Sequence, residues 1–253
     1  MARVLLFLFL LDNSALAQVD LKKGLAAYYP FNGNAYDESG NSNDPSLVKV
    51  SFVADRFGNP NSACSFNGKS NFIRIPDHPS LNFKSSFTLS AWVMVKGFYE
   101  GKCHGNRIIM KGYSDVDTCN YLLTFDDNHY TKGINCASSR VDKQHQAFYA
   151  PYANPLPGKY VTIDKWSLLT VTYDGNEIIL YVDCEIAAKG ELKDHHFSND
   201  EDLFFGKLDN QNYPYWFNGL LDEVRIYNRV ITQEEITALC NQVNTGQNKN
   251  EQQ

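Results

Sequence analysis

At 253 residues, 43% hydrophobic and 21% charged, the chain is long enough to bury a sizeable core, and it lacks the long apolar runs of a membrane-spanning protein after its first few residues. A formal net charge of −6 at pH 7 leaves no electrostatic footprint for nucleic acid or an anionic lipid surface, so neither is expected as a partner. Aromatic residues reach 13%, with 15 Tyr and 16 Phe against three Met, a balance that suits strands better than helices.

Residues 1–17 read as a signal peptide, because Arg3 precedes an apolar run over 4–11 and Ala15-Leu16-Ala17 has the small-x-small form of a cleavage site. That run is too short to span a bilayer, and the remaining 236 residues hold no stretch of roughly 18 apolar residues. A secreted protein without a membrane span is expected. Residues 18–240 contain no linker and read as one domain. The tail 241–253 is too polar to repay the entropy of folding, so disorder is expected there.

Short, regularly spaced strand patterns follow at 25–31, 63–66, 71–76, 86–95, 107–111, 121–126, 166–173, 177–184, 202–206 and 219–227. Turn chemistry separates them: Asn67-Gly68 and Asp174-Gly175-Asn176 tolerate positive φ, and the second divides LLTVTY from EIILYV as a hairpin would. The stretch 131–165, rich in Pro and lacking periodicity, reads as a surface insertion. One helix is expected, opening at Thr232 with the capping box Thr232-Gln233-Glu234-Glu235 and placed to plug an edge. About ten strands with so little helix pack most economically as two antiparallel sheets face to face, an all-β jelly-roll sandwich.

Export permits disulfides among Cys64, Cys103, Cys119, Cys136, Cys184 and Cys240. Six cysteines allow fifteen pairings. A hairpin of 107–111 with 121–126 carries Cys103 toward Cys136, and that bridge is expected while the rest stay open.

The strand at 219–227 alternates Leu221, Glu223, Arg225 and Tyr227 with Asp222, Val224 and Ile226, so Asp222 alone breaks the apolar face. A buried acid must be neutralised, hydrogen-bonded or bound to a cation. Two readings stay open: a calcium ligand, or an Asp bonded to backbone N–H groups at a sheet corner.

Five segments carry a family resemblance: LAAYYPFNGNAYDESGNSN from Leu25, ADRFGNPNSACSFNGKSNFIRIPDHPSLN from Ala54, FTLSAWV from Phe87, KWSLLTVTYDGNEIILYVDCE from Lys165 and WFNGLLDEVRIYNRVITQEEI from Trp216. In this order they resemble the LamG-like jelly roll family, the laminin-G/concanavalin A-like sandwich of exported bacterial proteins, over residues 24–240. The resemblance implies a non-catalytic module that binds carbohydrate or protein ligands and often holds structural calcium. Two departures stand out: Cys184 replaces the usual Gly after the YVD strand, and Asn67-Gly68 replaces an Asp-Gly turn.

Calcium wants six to eight oxygens, and the loop around 31–44 is rich in Asn and Asp. With the first and last strands adjacent, as the resemblance implies, Asp222, Asp37 and the carbonyl of Gly33 are the expected Ca2+ ligands; the competing reading is an ordinary turn-forming loop. Sugar recognition needs flat rings beside polar groups. The loop NQNYPYWF supplies Tyr213, Tyr215 and Trp216, and a second cluster supplies Tyr99 and Arg107. Packing explains the same residues equally well. The paired Glu residues of related glucanases, Ser-x-Asp-x-Gly repeats and GxSxG are all missing, so no catalytic residues are expected. The expected function is binding of an extracellular glycan or polymer, with a cell-surface protein partner as the alternative.

Overall fold

The computed structural model describes residues 19–97, 106–112, 121–126, 133–135, 140–141, 146–147, 161, 163–191 and 198–242. The segment expected to be a signal peptide, Tyr99, the expected Cys103–Cys136 bridge and the end of the polar tail lie outside the described residues.

The strands run in chain order: β1 (Leu25–Tyr29), β2 (Leu47–Lys49), β3 (Ser51–Val53), β4 (Ala63–Asn67), β5 (Phe72–Ile75), β6 (Phe87–Gly97), β7 (Asn106–Lys111) and β8 (Tyr121–Asp126). After these come β9 (Gly133–Asn135), β10 (Arg140–Val141), β11 (Gln146–Ala147), β12 (Trp166–Tyr173), β13 (Glu177–Val182), β14 (Glu185–Glu191), β15 (Leu203–Phe205) and β16 (Asn218–Tyr227), and then helix α1 (Gln233–Cys240). One sheet has the order β14-β13-β12-β6-β16-β4-β3, with β1 also paired to β16, and the other is β2-β5-β15-β7-β8-β9. All of these ladders are antiparallel.

All ten expected strands are present. β2, β3 and β14 are additional, and 131–165 holds β9 and the β10–β11 ribbon. The core lies between the sheets, where Phe87, Leu89, Ala91, Val93 and Val95 of β6 face Ile73, Ile75, Ile109, Leu203 and Phe205. Aromatic contacts stitch it, with the Tyr29 ring set edge-on to Phe205 at 5.1 Å. Gly206, at φ 91°, cannot be replaced, since a Cβ there would lie 2.3 Å from the Phe66 ring.

The helix covers a sheet face rather than an edge. Thr232 and Glu235 close the capping box, and Ile236 and Leu239 pack with Leu168, Tyr181 and Tyr227 on the outer side of the eight-stranded sheet. An amphipathic helix buries its apolar stripe where the largest apolar surface is offered. The turn between β13 and β14 places Asp183 at φ 48° and Cys184 at φ 68°, the two positive values that a two-residue hairpin turn requires. Cys184 holds a position that suits Gly and is bridged to Cys240 at the helix end, with Cα atoms 6.3 Å apart.

This bridge spans 56 residues. Cys240→Ala is expected to lower stability under oxidising conditions by roughly 2–5 kcal/mol, read by denaturant unfolding. An unchanged midpoint would show that the bridge adds nothing.

Candidate binding surface

Two surfaces concentrate the expected residues, and strand β16 organises both. Its first half pairs with β4 (Leu221 with Cys64) and its second half with β1 (Val224 with Tyr29), while β6 runs along the opposite edge. Between the halves the register against β6 slips, and Glu223 takes φ 54°. Such a bulge reverses the alternation. Leu221, Val224 and Ile226 therefore all face the core, and Asp222 lies opposite Trp92 on the outer face. The expectation that Asp222 points into the apolar core is corrected by this extra residue.

Asp222 is still only 2% exposed, and Arg56 meets it at 2.5 Å. The Arg56 guanidinium is also layered between two rings, 4.7 Å from Trp92 and 4.3 Å from Phe57. Burial pushes the Asp222 carboxyl up to about 7, with Glu223 adding to the shift and Arg56 opposing it. Next to it, Arg225 pairs with Glu223 and stacks 4.2 Å from the Tyr28 ring, whose hydroxyl donates to Glu223.

Asp37 has a different employment. One of its carboxylate oxygens accepts the N–H groups of Tyr28 and Ser39, and the other accepts the Asn43 N–H and the Ser39 hydroxyl. Gly33, at φ 77°, donates its N–H to the carbonyls of Phe31 and Asn61. Asp37 thus serves as an internal cap of the early loop, and Asp222 serves as the partner of Arg56. Asp37 and Asp222 thus have separate partners, and among the described residues no group of three His, Cys, Asp or Glu that could hold a metal occurs. Gly33 instead lines an open cleft of about 350 Å³ with Tyr36, Leu47, Val48 and Phe52.

The second surface is the outer face of the six-stranded sheet. Residues 207–217 leave β15, fold over this face and return, tied by Phe217 N–H to the Gly206 carbonyl and Leu208 N–H to the Pro214 carbonyl. Three consecutive rings then go to three places. Tyr215 is buried with Met110, Leu122 and Leu208, Phe217 enters the core against Phe66 at 5.7 Å, and Trp216 stays half-buried against Phe72 at 6.2 Å. Tyr213 is 40% exposed and stacks on Tyr215. Arg107 is withdrawn from solvent, donating to the Thr124 hydroxyl and lying 4.7 Å from the Tyr215 ring. Arg107 and Tyr215 therefore support the loop from beneath, and Tyr213 and Trp216 are offered to solvent.

Cross-strand neighbours complete the surface, and no local motif announced them. Phe72 stands opposite Lys49, and Phe204 stands opposite Arg74. The Lys207 ammonium sits among three rings, 4.9 Å from Phe72, 5.2 Å from Phe204 and 5.5 Å from Trp216, and pairs with Asp209 at 2.6 Å.

A laminin-G-type family profile, described as the Concanavalin A-like lectin/glucanases superfamily, matches residues 67–237. The chain belongs to this superfamily. No curated protein sequence matches it. Among solved structures it is similar to the binding domain of Paraclostridial Mosquitocidal Protein 1, at 19% identity and TM-score 0.65 over 88% of this chain and 53% of that one. Domain 4 of AbnA, an extracellular arabinanase of Geobacillus stearothermophilus in complex with arabinotriose, aligns at 17% identity and TM-score 0.64 over 85% of this chain and 98% of that one. The binding domain of Botulinum neurotoxin serotype D aligns at 14% identity and TM-score 0.61, over 87% and 51%. The chain spans about half the length of these toxin domains, and at such identities the likeness establishes the jelly-roll fold.

Removing one partner of a buried pair strands the other charge. Arg56→Met is expected to cost about 3–5 kcal/mol, and the double variant Arg56→Met with Asp222→Leu to recover most of it in denaturant unfolding. Because the folded carboxyl titrates near 7 and a free one near 3.9, its contribution is complete below about pH 4 and is lost as pH rises through 7. Asp222→Asn should flatten that part of the stability–pH curve; equal slopes would contradict it. For the metal, melting in calcium and in EGTA should agree to within about 2 °C, and a larger calcium-dependent rise would restore a site in the early loop.

Proposed function

We propose that the protein is a secreted, non-catalytic binding module that holds an extracellular polysaccharide on the outer face of its six-stranded sheet. The observation that carries the reading is the contact of Trp216, from a loop, with Phe72, from a distant strand, as a partly exposed aromatic pair, with Tyr213 exposed on the same loop. Pyranose C–H faces pack on such rings as apolar surface, and adjoining polar groups satisfy the hydroxyls. The supporting residues are already packed, so little side-chain freedom is lost on binding. The fold neighbours that carry binding domains, one of them solved with a sugar, are consistent with this use. No helix among the described residues is long and apolar enough to cross a membrane, and the Cys184–Cys240 bridge fits an oxidising compartment.

A second reading, docking of a protein partner, rests on another surface. Edge strand β2 exposes Leu47 and Val48 beside the cleft that Tyr36 lines, and an extended peptide can add to such an edge.

Affinity electrophoresis through a panel of polysaccharides, arabinan among them, separates the two. Retention by at least one polymer, abolished by Trp216→Ala with an unchanged melting temperature, is the expected result. Migration unaffected by every polymer would refute the glycan reading, and capture of a partner blocked by Val48→Asp would favour the edge strand.

A further inference from the structure

We infer that this aromatic surface selects acidic sugars, carboxylated pyranose polymers such as polyuronates, over neutral ones. The inference rests on the glycan reading above and adds the charge of the ligand.

The protein carries a net charge of −6, yet positive charge gathers at this surface. Lys49 and Lys207 both place their ammonium groups near the same ring, 5.3 Å and 4.9 Å from the Phe72 centroid. Arg74 shares that face, standing opposite Leu47 and Phe204. Arg74 is balanced by Asp202 and Lys207 by Asp209. Lys49 is exposed, and among the described residues no carboxylate pairs with it. The three cations and two acids leave one positive charge without an acidic partner, that of Lys49 at the Phe72 ring.

Geometry makes that charge useful to a ligand. Cation–π contact sets both ammonium groups near the Phe72 ring before any ligand arrives. The Lys207 side chain is 13% exposed, held by three rings, whereas its partner Asp209 is 54% exposed and free to be displaced. A sugar laid on Trp216 presents its ring edge to these ammonium groups. A carboxylate on that edge gains charge-assisted hydrogen bonds, and a hydroxymethyl group gains weaker ones. Charge complementarity therefore favours the uronate.

The test is isothermal titration calorimetry of the full chain with three probes: polygalacturonate, the same polymer fully methyl-esterified, and neutral arabinan. Polygalacturonate should bind at least about fivefold more tightly than its ester, the scale of one or two exposed charge contacts. Lys49→Glu should remove that preference and keep the melting temperature. Equal affinity for acid and ester, unmoved by Lys49→Glu but abolished by Trp216→Ala, would overturn the acidic preference and leave the glycan reading standing. Failure of all three probes to bind would overturn the acidic preference, and the polysaccharide panel would then decide the glycan reading.

Discussion

One strand has to satisfy three neighbours, and the rest of the molecule follows from how it does so. β16 lies against β6 along one edge, and on the other it changes partner from β4 to β1. Where the partner changes, the ladder cannot be continuous, and the bulge at Glu223 absorbs the mismatch. That break would leave a polar gap in the largest sheet. Arg56 and Asp222 occupy the outer side of it as a buried ion pair beside Trp92 and Phe57, while the Arg56 Nε–H and the Trp92 indole N–H find no hydrogen-bond partner. Closing the gap also joins the two ends of the domain, since β1 opens it and β16 nearly completes it.

The binding surface is a consequence of where β16 begins. Phe217, just before the strand, is driven into the core, and this fixes the direction in which the chain arrives. Alternation then does the rest: with Phe217 inside and Tyr215 beneath the loop, Trp216 has to face outward. Arg107 and Tyr215 act as its footing, which is why a cluster that looks like five ligand contacts divides into two that support and two that are offered, with Tyr99 outside the described residues.

Much of the architecture was legible in the sequence because it was written in local chemistry. Turn residues at Asn67-Gly68 and Asp174-Gly175-Asn176, the alternation of 166–173 and 177–182, and the capping box at Thr232 each act over a few positions, and each is where it was expected. The failures share a physical cause. A bulge costs only one residue, so the alternation of 219–227 reads as unbroken while the chain in fact reverses phase at Glu223. The edge strands β2 and β3 are three residues each, and β2 is exposed throughout, so they carry no hydrophobic period to detect. Arg56 and Asp222 are 166 residues apart, and Phe72 meets Phe204 and Trp216 only once the sheet has formed. Cys184 was visible as a departure from the usual Gly, and in the fold it forms the bridge to Cys240.

The account places recognition at Trp216 and Phe72 on the outer face of the six-stranded sheet rather than in the neighbouring cleft at Tyr36. Mapping of NMR chemical shifts during titration with an oligosaccharide that the chain retains tests this placement most directly. The largest shifts should fall on the Trp216 indole N–H and on the backbone of Phe72, Tyr213 and Lys49. Shifts confined to Gly33, Tyr36 and Val48, with the Trp216 signal unmoved, would contradict it.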